Sequence, residues 1–273
     1  MRGISTMSDD ISRILRQWEF DPNTVTTRII RGEDGRERVQ LRVDLGLLQM
    51  ELDGRPDGLR PENHESWFEY YQRLQEAHDE AHLDSPPFEL DREACQRLWI
   101  ESVQYYHRYL CFWHLKKYEW CARDTMRNVR LFSFVREHVR NDGAKLQFDQ
   151  WRPYVLMMHA RAVATPLVAL REFDAAIGAV ESSIEGIQEF LEEYRQEDRA
   201  DECAELIELR KWHQTIIEER DKSLAARGEQ TADMLRRELQ RAIESEEFEE
   251  AARLRDEIRR IEPLGGAESG ASS

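Results

Sequence analysis

Residues 235–261, LRRELQRAIESEEFEEAARLRDEIRRI, decide the fold of the C-terminal part of this chain. Apolar residues recur at helical spacing on both sides of a break at 245–247. The first stripe consists of Leu235, Leu239, Ala242 and Ile243, and the second of Phe248, Ala251, Ala252, Leu254, Arg255, Ile258 and Ile261. Each helix has only about three or four turns and is too short to be stable alone in water. The pattern therefore predicts a helical hairpin with an apolar face that another surface must cover.

This segment closely resembles the UVR motif, the helical hairpin that the UvrB and UvrC subunits of bacterial excision repair share. The resemblance rests on Leu235, Ala242, Phe248-Glu249, Ala251-Ala252, Leu254-Arg255-Asp256 and Ile258. It implies a protein–protein docking device, in which one hairpin packs against another hairpin or against a matching groove. It implies none of the catalytic machinery of the repair enzymes.

The expected partner-binding surface lies on this hairpin and comprises Leu235, Leu239, Phe248, Glu249, Ala252, Leu254, Arg255, Asp256, Ile258 and Ile261. The side chains that we expect to insert into the partner are Phe248, Leu254, Ile258 and Ile261. The charged side chains that we expect to fix register and orientation are Glu249, Arg255 and Asp256. The partner is another protein or a second copy of this chain. In the alternative interpretation, these residues satisfy the hairpin internally or pack it on the chain's own helices.

The composition is that of a soluble helical protein with many exposed charges, 40% hydrophobic and 34% charged. No apolar run approaches the roughly 18 residues that a membrane span needs, and the N-terminus has no signal-peptide core. The net charge of −16 disfavours direct binding of nucleic acid. A reduced cytoplasm is the expected location, since there is no CxxC spacing among Cys95, Cys111, Cys121 and Cys203.

One region, residues 24–45, predicts β structure. Val39, Leu41, Val43 and Leu45 alternate with polar residues, which indicates a β-hairpin with one face buried on the helical body. The run from Asp53 to Gly58 is dense in turn formers and predicts an exposed loop.

From residue 66 onward the pattern predicts helices, at about 66–82, 91–118, 119–140, 150–171, 174–195 and 199–226, with Arg227-Gly228 as the link to the terminal hairpin. Residues 115–122 match residues 170–177, which is similar to the tetratricopeptide pattern; a generic helical bundle is the alternative. The expected segments are 1–62, 63–228, 229–262 and a disordered tail, 263–273. The fold class is therefore mainly α, with tetratricopeptide-like helical hairpins, a small N-terminal β-hairpin and the C-terminal UVR hairpin.

Three groups of residues have the composition of chemical sites. His107, Cys111 and His114 are spaced to share one helix face, as zinc ligands would, yet their aromatic neighbours make core packing the favoured interpretation. His78 and His82 are four residues apart without an HExxH arrangement, and an exposed helix face explains them.

The third group is the run from Asp53 to Gly58, which could bind a ligand, although turn chemistry alone explains its composition. Cys121, beside Arg123, is better explained as a small buried residue than as an activated thiol. No phosphate-binding loop, dinucleotide fingerprint, nucleophile elbow or nuclease signature occurs. We therefore expect a protein that is not an enzyme and has no cofactor. The other hypotheses are an accessory factor that recruits a nucleotide excision repair subunit, and a cryptic metal protein or enzyme.

Overall fold

The structure is a computed structural model that describes residues 10–81 and 86–261, without the side chains of residues 228 and 229. His82 and the predicted tail from residue 263 lie outside the described residues. The chain divides into two compact units, Met1–Lys211 and Trp212–Ser273. The first unit contains both the N-terminal strands and the helical body.

Helices dominate the described residues, and the predicted fold class is confirmed. They are α1 (Ser12–Gln17), α2 (Trp67–Ala81), α3 (Arg92–His114), α4 (Tyr118–His138), α5 (Asp142–Asp149), α6 (Arg152–Ala169), α7 (Phe173–Glu193), α8 (Ala204–Glu244) and α9 (Phe248–Ile261). Short 3-10 turns occur at Pro61–Asn63 and Glu197–Arg199. The sequence pattern missed α1 and α5. It also placed a link at Arg227-Gly228, where α8 continues as one helix of 41 residues.

The N-terminal β structure is a three-stranded antiparallel sheet in the order β1 (Thr27–Arg31), β2 (Glu37–Val43) and β3 (Gly46–Glu51). The predicted hairpin corresponds to β1 and β2, and β3, which was not predicted, extends it after a tight turn at residues 44–45. Val43 pairs with Gly46, so Leu45 occupies the turn and is 87% exposed instead of facing the core. The register of β2 otherwise places Val39 and Leu41 in the core as expected.

The polar face of β2 is also covered. The Arg42 guanidinium donates hydrogen bonds to the carbonyl oxygens of Trp18 and Gly46, at 2.8 and 2.9 Å. Arg28 lies over the Trp18 ring, 4.0 Å from its centroid. The segment around Trp18 therefore packs on the sheet face that alternation alone assigns to solvent.

Two helical hairpins, α3–α4 and α6–α7, form the body, with α4 packed on α6. Both hairpins turn in the same way. Lys117 N–H donates to the carbonyl of Phe112 at 2.8 Å, and Glu172 N–H donates to that of Leu167 at 2.9 Å. The residue before each donor has positive φ, 57° at Lys116 and 62° at Arg171. These six-to-one bonds are Schellman motifs, and they account for the internal similarity of residues 115–122 and 170–177.

Candidate functional site

The C-terminal hairpin is formed by the end of α8 and by α9, within the second compact unit. A turn at residues 245–247 joins the two helices. Glu246 has a φ of 58°, and Glu247 N–H donates to the carbonyl of Ala242 at 2.9 Å. This is the same Schellman motif as in the body, and it reverses the chain without a glycine.

The interior of the hairpin is a small apolar cluster. Three residues of α9 lie on one face at a spacing of three and four, and two residues of α8 face them. All five are buried: Leu235, Ala242, Ala251, Leu254 and Ile258. Leu239 and Ile261 pack at the edge of this cluster. We call these seven residues the hairpin interior.

Five of the expected partner-binding residues therefore belong to the hairpin interior: Leu235, Leu254 and Ile258 are buried in it, and Leu239 and Ile261 pack at its edge. The reason is geometric. Two antiparallel helices joined by a three-residue turn bring their facing stripes together, and the most regularly spaced apolar residues seal against each other. For these residues, the structure has the internal packing that the alternative interpretation described.

A second set of apolar side chains remains outside the interior, near the turn. Phe248, the first residue of α9, is 70% exposed, and Ile243, in the last turn of α8, is 48% exposed. Ala252 is exposed as well and lies one helical turn after Phe248, on the same side of α9. We call Ile243, Phe248 and Ala252 the hairpin tip.

The expected orienting charges are also exposed. Glu249 is exposed, and Arg255 lies 3.2 Å from the carboxylate of its neighbour Asp256, with each side chain 55% exposed. An ion pair this accessible contributes at most about 1 kcal/mol, so these charges can exchange partners at low cost. Their role in setting register stays a prediction.

Ile243 was not among the expected partner-binding residues. The spacing of the apolar residues in α8 already indicates that Ile243 lies outside the hairpin interior. Leu235, Leu239 and Ala242 already satisfy a narrow stripe at i, i+4 and i+7. An additional isoleucine one residue further lies on the flank of that stripe, where the facing helix does not cover it.

The turn of the hairpin offers a stabilising substitution. Glu246 adopts the left-handed conformation, which costs residues with a Cβ roughly 1 kcal/mol relative to glycine. We expect Glu246→Gly to raise the free energy of unfolding of the C-terminal unit by about 0.5–1 kcal/mol, measured by urea unfolding. Ser245→Gly, one residue earlier and without positive φ, is the matched control and should lower stability. A decrease for Glu246→Gly would contradict the assigned turn.

The histidines and cysteines of α3 do not gather into a ligand set. Cys111 is fully buried, whereas His114, one turn further along, is exposed. Within residues 10–81 and 86–261, no group of three or more histidine, cysteine or acidic side chains is placed to hold a metal ion. Burial raises the pKa of the Cys111 thiol to about 11 and that of Cys121 to about 12. Both thiols are therefore protonated and unreactive at neutral pH.

His78 contacts the carboxylate of Asp79 at 3.3 Å and packs edge-on against Phe88. The second histidine of the predicted pair, His82, is outside the described residues. His78 lies in the last turn of α2.

The run from Asp53 to Gly58 is held by the helical body, and the expectation of a wholly exposed loop was wrong. Arg55 and Pro56 are buried. The Arg108 guanidinium donates to the carbonyl of Gly54 at 2.8 Å, and the Arg55 guanidinium lies 3.4 Å from the buried carboxylate of Glu101. The turn-forming residues thus let the chain bend towards charged groups of α3, which accounts for the composition of the loop without a ligand.

Comparison with known proteins bears on the hairpin alone. The family model described as UVR, the UvrB/uvrC motif, matches residues 233–262. No curated protein and no solved structure is similar enough to the chain to count as a match. The predicted resemblance is confirmed, and it coincides with the end of α8, the turn and α9: residues 233–262 carry a UVR motif.

Proposed function

We propose that this chain is a non-catalytic interaction protein that docks another protein, or a second copy of itself, through the tip of its C-terminal hairpin. The observation that carries the proposal is the exposure of Phe248. The apolar side chains of the hairpin interior are covered, whereas the Phe248 ring is 70% exposed, and Ile243, before the turn, is 48% exposed. An exposed aromatic side chain at the end of a hairpin is typical of an interface anchor.

The two sets of apolar residues have different roles in this proposal. The hairpin interior holds α8 and α9 together, so Leu254 and Ile258 support the docking surface without entering the partner. Phe248 enters the partner, and its burial contributes roughly 1.5–3 kcal/mol before the costs of association. Glu249, Arg255 and Asp256 are exposed on α9, and in this proposal their charges orient the partner.

The proposal includes no catalysis and no direct binding of nucleic acid. The net charge of −16 opposes binding to a phosphate backbone. In the part of the chain that the structure describes, no helix is long and apolar enough to cross a bilayer. We propose a reducing cytoplasm as the setting, as the scattered cysteines suggested, and all four are free thiols.

A second candidate function is recruitment of a nucleotide excision repair subunit, and the UVR match favours it. In that function the catalytic activity belongs to the recruited subunit. Mixing the purified chain with UvrB or with UvrC then yields a stable complex in gel filtration. Absence of a complex with either subunit removes this candidate and leaves docking in general untouched.

The proposed function is tested by affinity capture from the native cell with three proteins: the wild type, Phe248→Ser and Leu224→Ser. Leu224 is the matched control, because it is also a large apolar residue that is more than half exposed. It lies on α8, away from the hairpin tip. We expect Phe248→Ser to lose at least nine tenths of the specifically captured partner, since a removed anchor of about 1.5–3 kcal/mol lowers affinity at least tenfold. Leu224→Ser should retain the partner. Equal capture by all three proteins would contradict the proposal.

A further inference from the structure

A cavity of about 230 Å³ lies in the first compact unit, between α3, α4 and the start of α6. Aromatic rings make up most of its wall, contributed by Trp99, Tyr106, Tyr109, Phe132, Trp151 and Tyr154. Two of the wall residues, Tyr109 and Phe132, are buried, and Tyr109 is only 1% exposed. Its mouth is formed by Trp151, which is 49% exposed, and by Tyr106. The docking function does not use this cavity.

The wall of the cavity is uncharged. None of the described residues that line it is an acid, a lysine or an arginine. Burial raises the pKa of Tyr154 to about 12 and that of Tyr109 well above its usual 10. Burial also lowers the pKa of His107 below its usual 6.5, so the imidazole is neutral at pH 7. A charged ligand would lose its hydration here without gaining a counter-charge.

The polar groups of the cavity differ in whether they are already bonded. The Ser102 hydroxyl donates to the carbonyl of Trp99 at 2.7 Å, and the Asn128 amide donates to the carbonyl of Ser102 at 2.9 Å. The hydroxyls of the three tyrosines in the wall, Tyr106, Tyr109 and Tyr154, form no hydrogen bond with any described residue. Buried tyrosine hydroxyls usually have a partner. Tyr109 is the most buried of the three, at 1% exposure, so its hydroxyl is the one that a ligand would satisfy.

We propose that this cavity binds a small, uncharged, planar aromatic molecule whose polar group forms a hydrogen bond with the hydroxyl of Tyr109. Flat rings match the wall, because offset and edge-on contacts with Trp99, Tyr106 and Tyr154 are available to a planar ligand. The volume suits one or two fused rings with a small substituent, since a cavity of about 150 Å³ accepts benzene.

The test is isothermal titration calorimetry at pH 7 with two probes of the same shape. The first is 2-naphthol, which is uncharged and carries one hydroxyl; the second is 2-naphthoate, which carries a negative charge. We expect the full chain to bind 2-naphthol with a Kd below about 1 mM, and 2-naphthoate at least about tenfold more weakly.

Variants connect this binding to the cavity. Tyr109→Phe keeps the ring and removes the hydroxyl, and should weaken 2-naphthol binding about five- to tenfold. Tyr118→Phe, which removes a hydroxyl outside the cavity wall, is the matched control and should bind as the wild type does. Val155→Phe fills the cavity and should abolish binding; if that variant fails to fold, Tyr109→Phe decides alone. Three results would each overturn the proposal. They are no binding of 2-naphthol, equal affinity of the wild type for 2-naphthoate and 2-naphthol, and wild-type affinity of Tyr109→Phe for 2-naphthol.

Discussion

Asp124→Ala is expected to lower the free energy of unfolding of the N-terminal unit by about 3–5 kcal/mol. Arg108 and Asp124 are both buried and form a two-bond ion pair, with nitrogen–oxygen distances of 2.7 and 3.0 Å. Removing the carboxylate leaves the Arg108 charge buried without its counter-ion, and this uncompensated charge is the source of the cost. Urea unfolding followed by circular dichroism measures the change.

Two further variants test whether burial is the cause. Glu76→Ala breaks the exposed ion pair with Arg73, in which both side chains are more than half exposed, and should cost less than about 1 kcal/mol. The double variant Arg108→Met, Asp124→Leu removes both charges and should cost less than Asp124→Ala alone, because no charge is left unpaired. A loss below about 1 kcal/mol for Asp124→Ala would contradict the burial of this pair.

Ile258→Ala is expected to lower the stability of the C-terminal hairpin by about 2–5 kcal/mol, the usual range for truncating a buried isoleucine. The hairpin interior contains only seven apolar residues, so a cavity there removes a large part of what holds α9 on α8. Hydrogen exchange of the α9 amides measures this effect, and we expect their protection to fall at least about thirtyfold.

Phe248→Ala is the matched control on the same helix. Its side chain is mostly outside the interior, so the protection of the α9 amides should change by less than about threefold. Wild-type protection in Ile258→Ala would show that the assigned interior does not hold the helices together. A large loss of amide protection in Phe248→Ala would show that the hairpin tip belongs to the hairpin interior and is not free for a partner.

The C-terminal hairpin shows how far apolar spacing predicts structure. Spacing predicted the two helices and the break between them, since three- and four-residue intervals can be read directly from the sequence. It did not separate the interior residue Leu254 from the exposed Phe248. That distinction depends on where the facing helix ends, and here it ends at the turn that Phe248 follows.

Three misses elsewhere have physical reasons. No helix was predicted between residues 140 and 150, but the Asn141 side chain accepts a hydrogen bond from Ala144 N–H at 2.9 Å and so begins α5. Gly228 was predicted to lie in a link between helices, but one glycine in a helix costs about 1 kcal/mol, which the 41-residue α8 tolerates. β3 was missed because Leu47 and Leu48 are adjacent and hide its alternation.

The candidate site was predictable in place but not in detail. The resemblance of residues 233–262 to the UVR motif located the hairpin, and the family match agrees. The aromatic cavity was not predictable, because Trp99, Tyr109 and Trp151 are far apart in the chain and meet only when α3, α4 and α6 pack. Long-range packing of this kind leaves no periodic signal in one sequence.

Photo-crosslinking from the hairpin tip tests the docking claim most directly. A photoreactive phenylalanine analogue replaces Phe248 in one protein and Leu224 in another, and both are irradiated in the native cell. Both positions are exposed in the C-terminal unit, but position 248 belongs to the hairpin tip and position 224 precedes the hairpin on α8. The docking account predicts one dominant crosslinked protein from position 248, either a partner or a second copy, and little from position 224. Equal, diffuse crosslinking from both positions would contradict it.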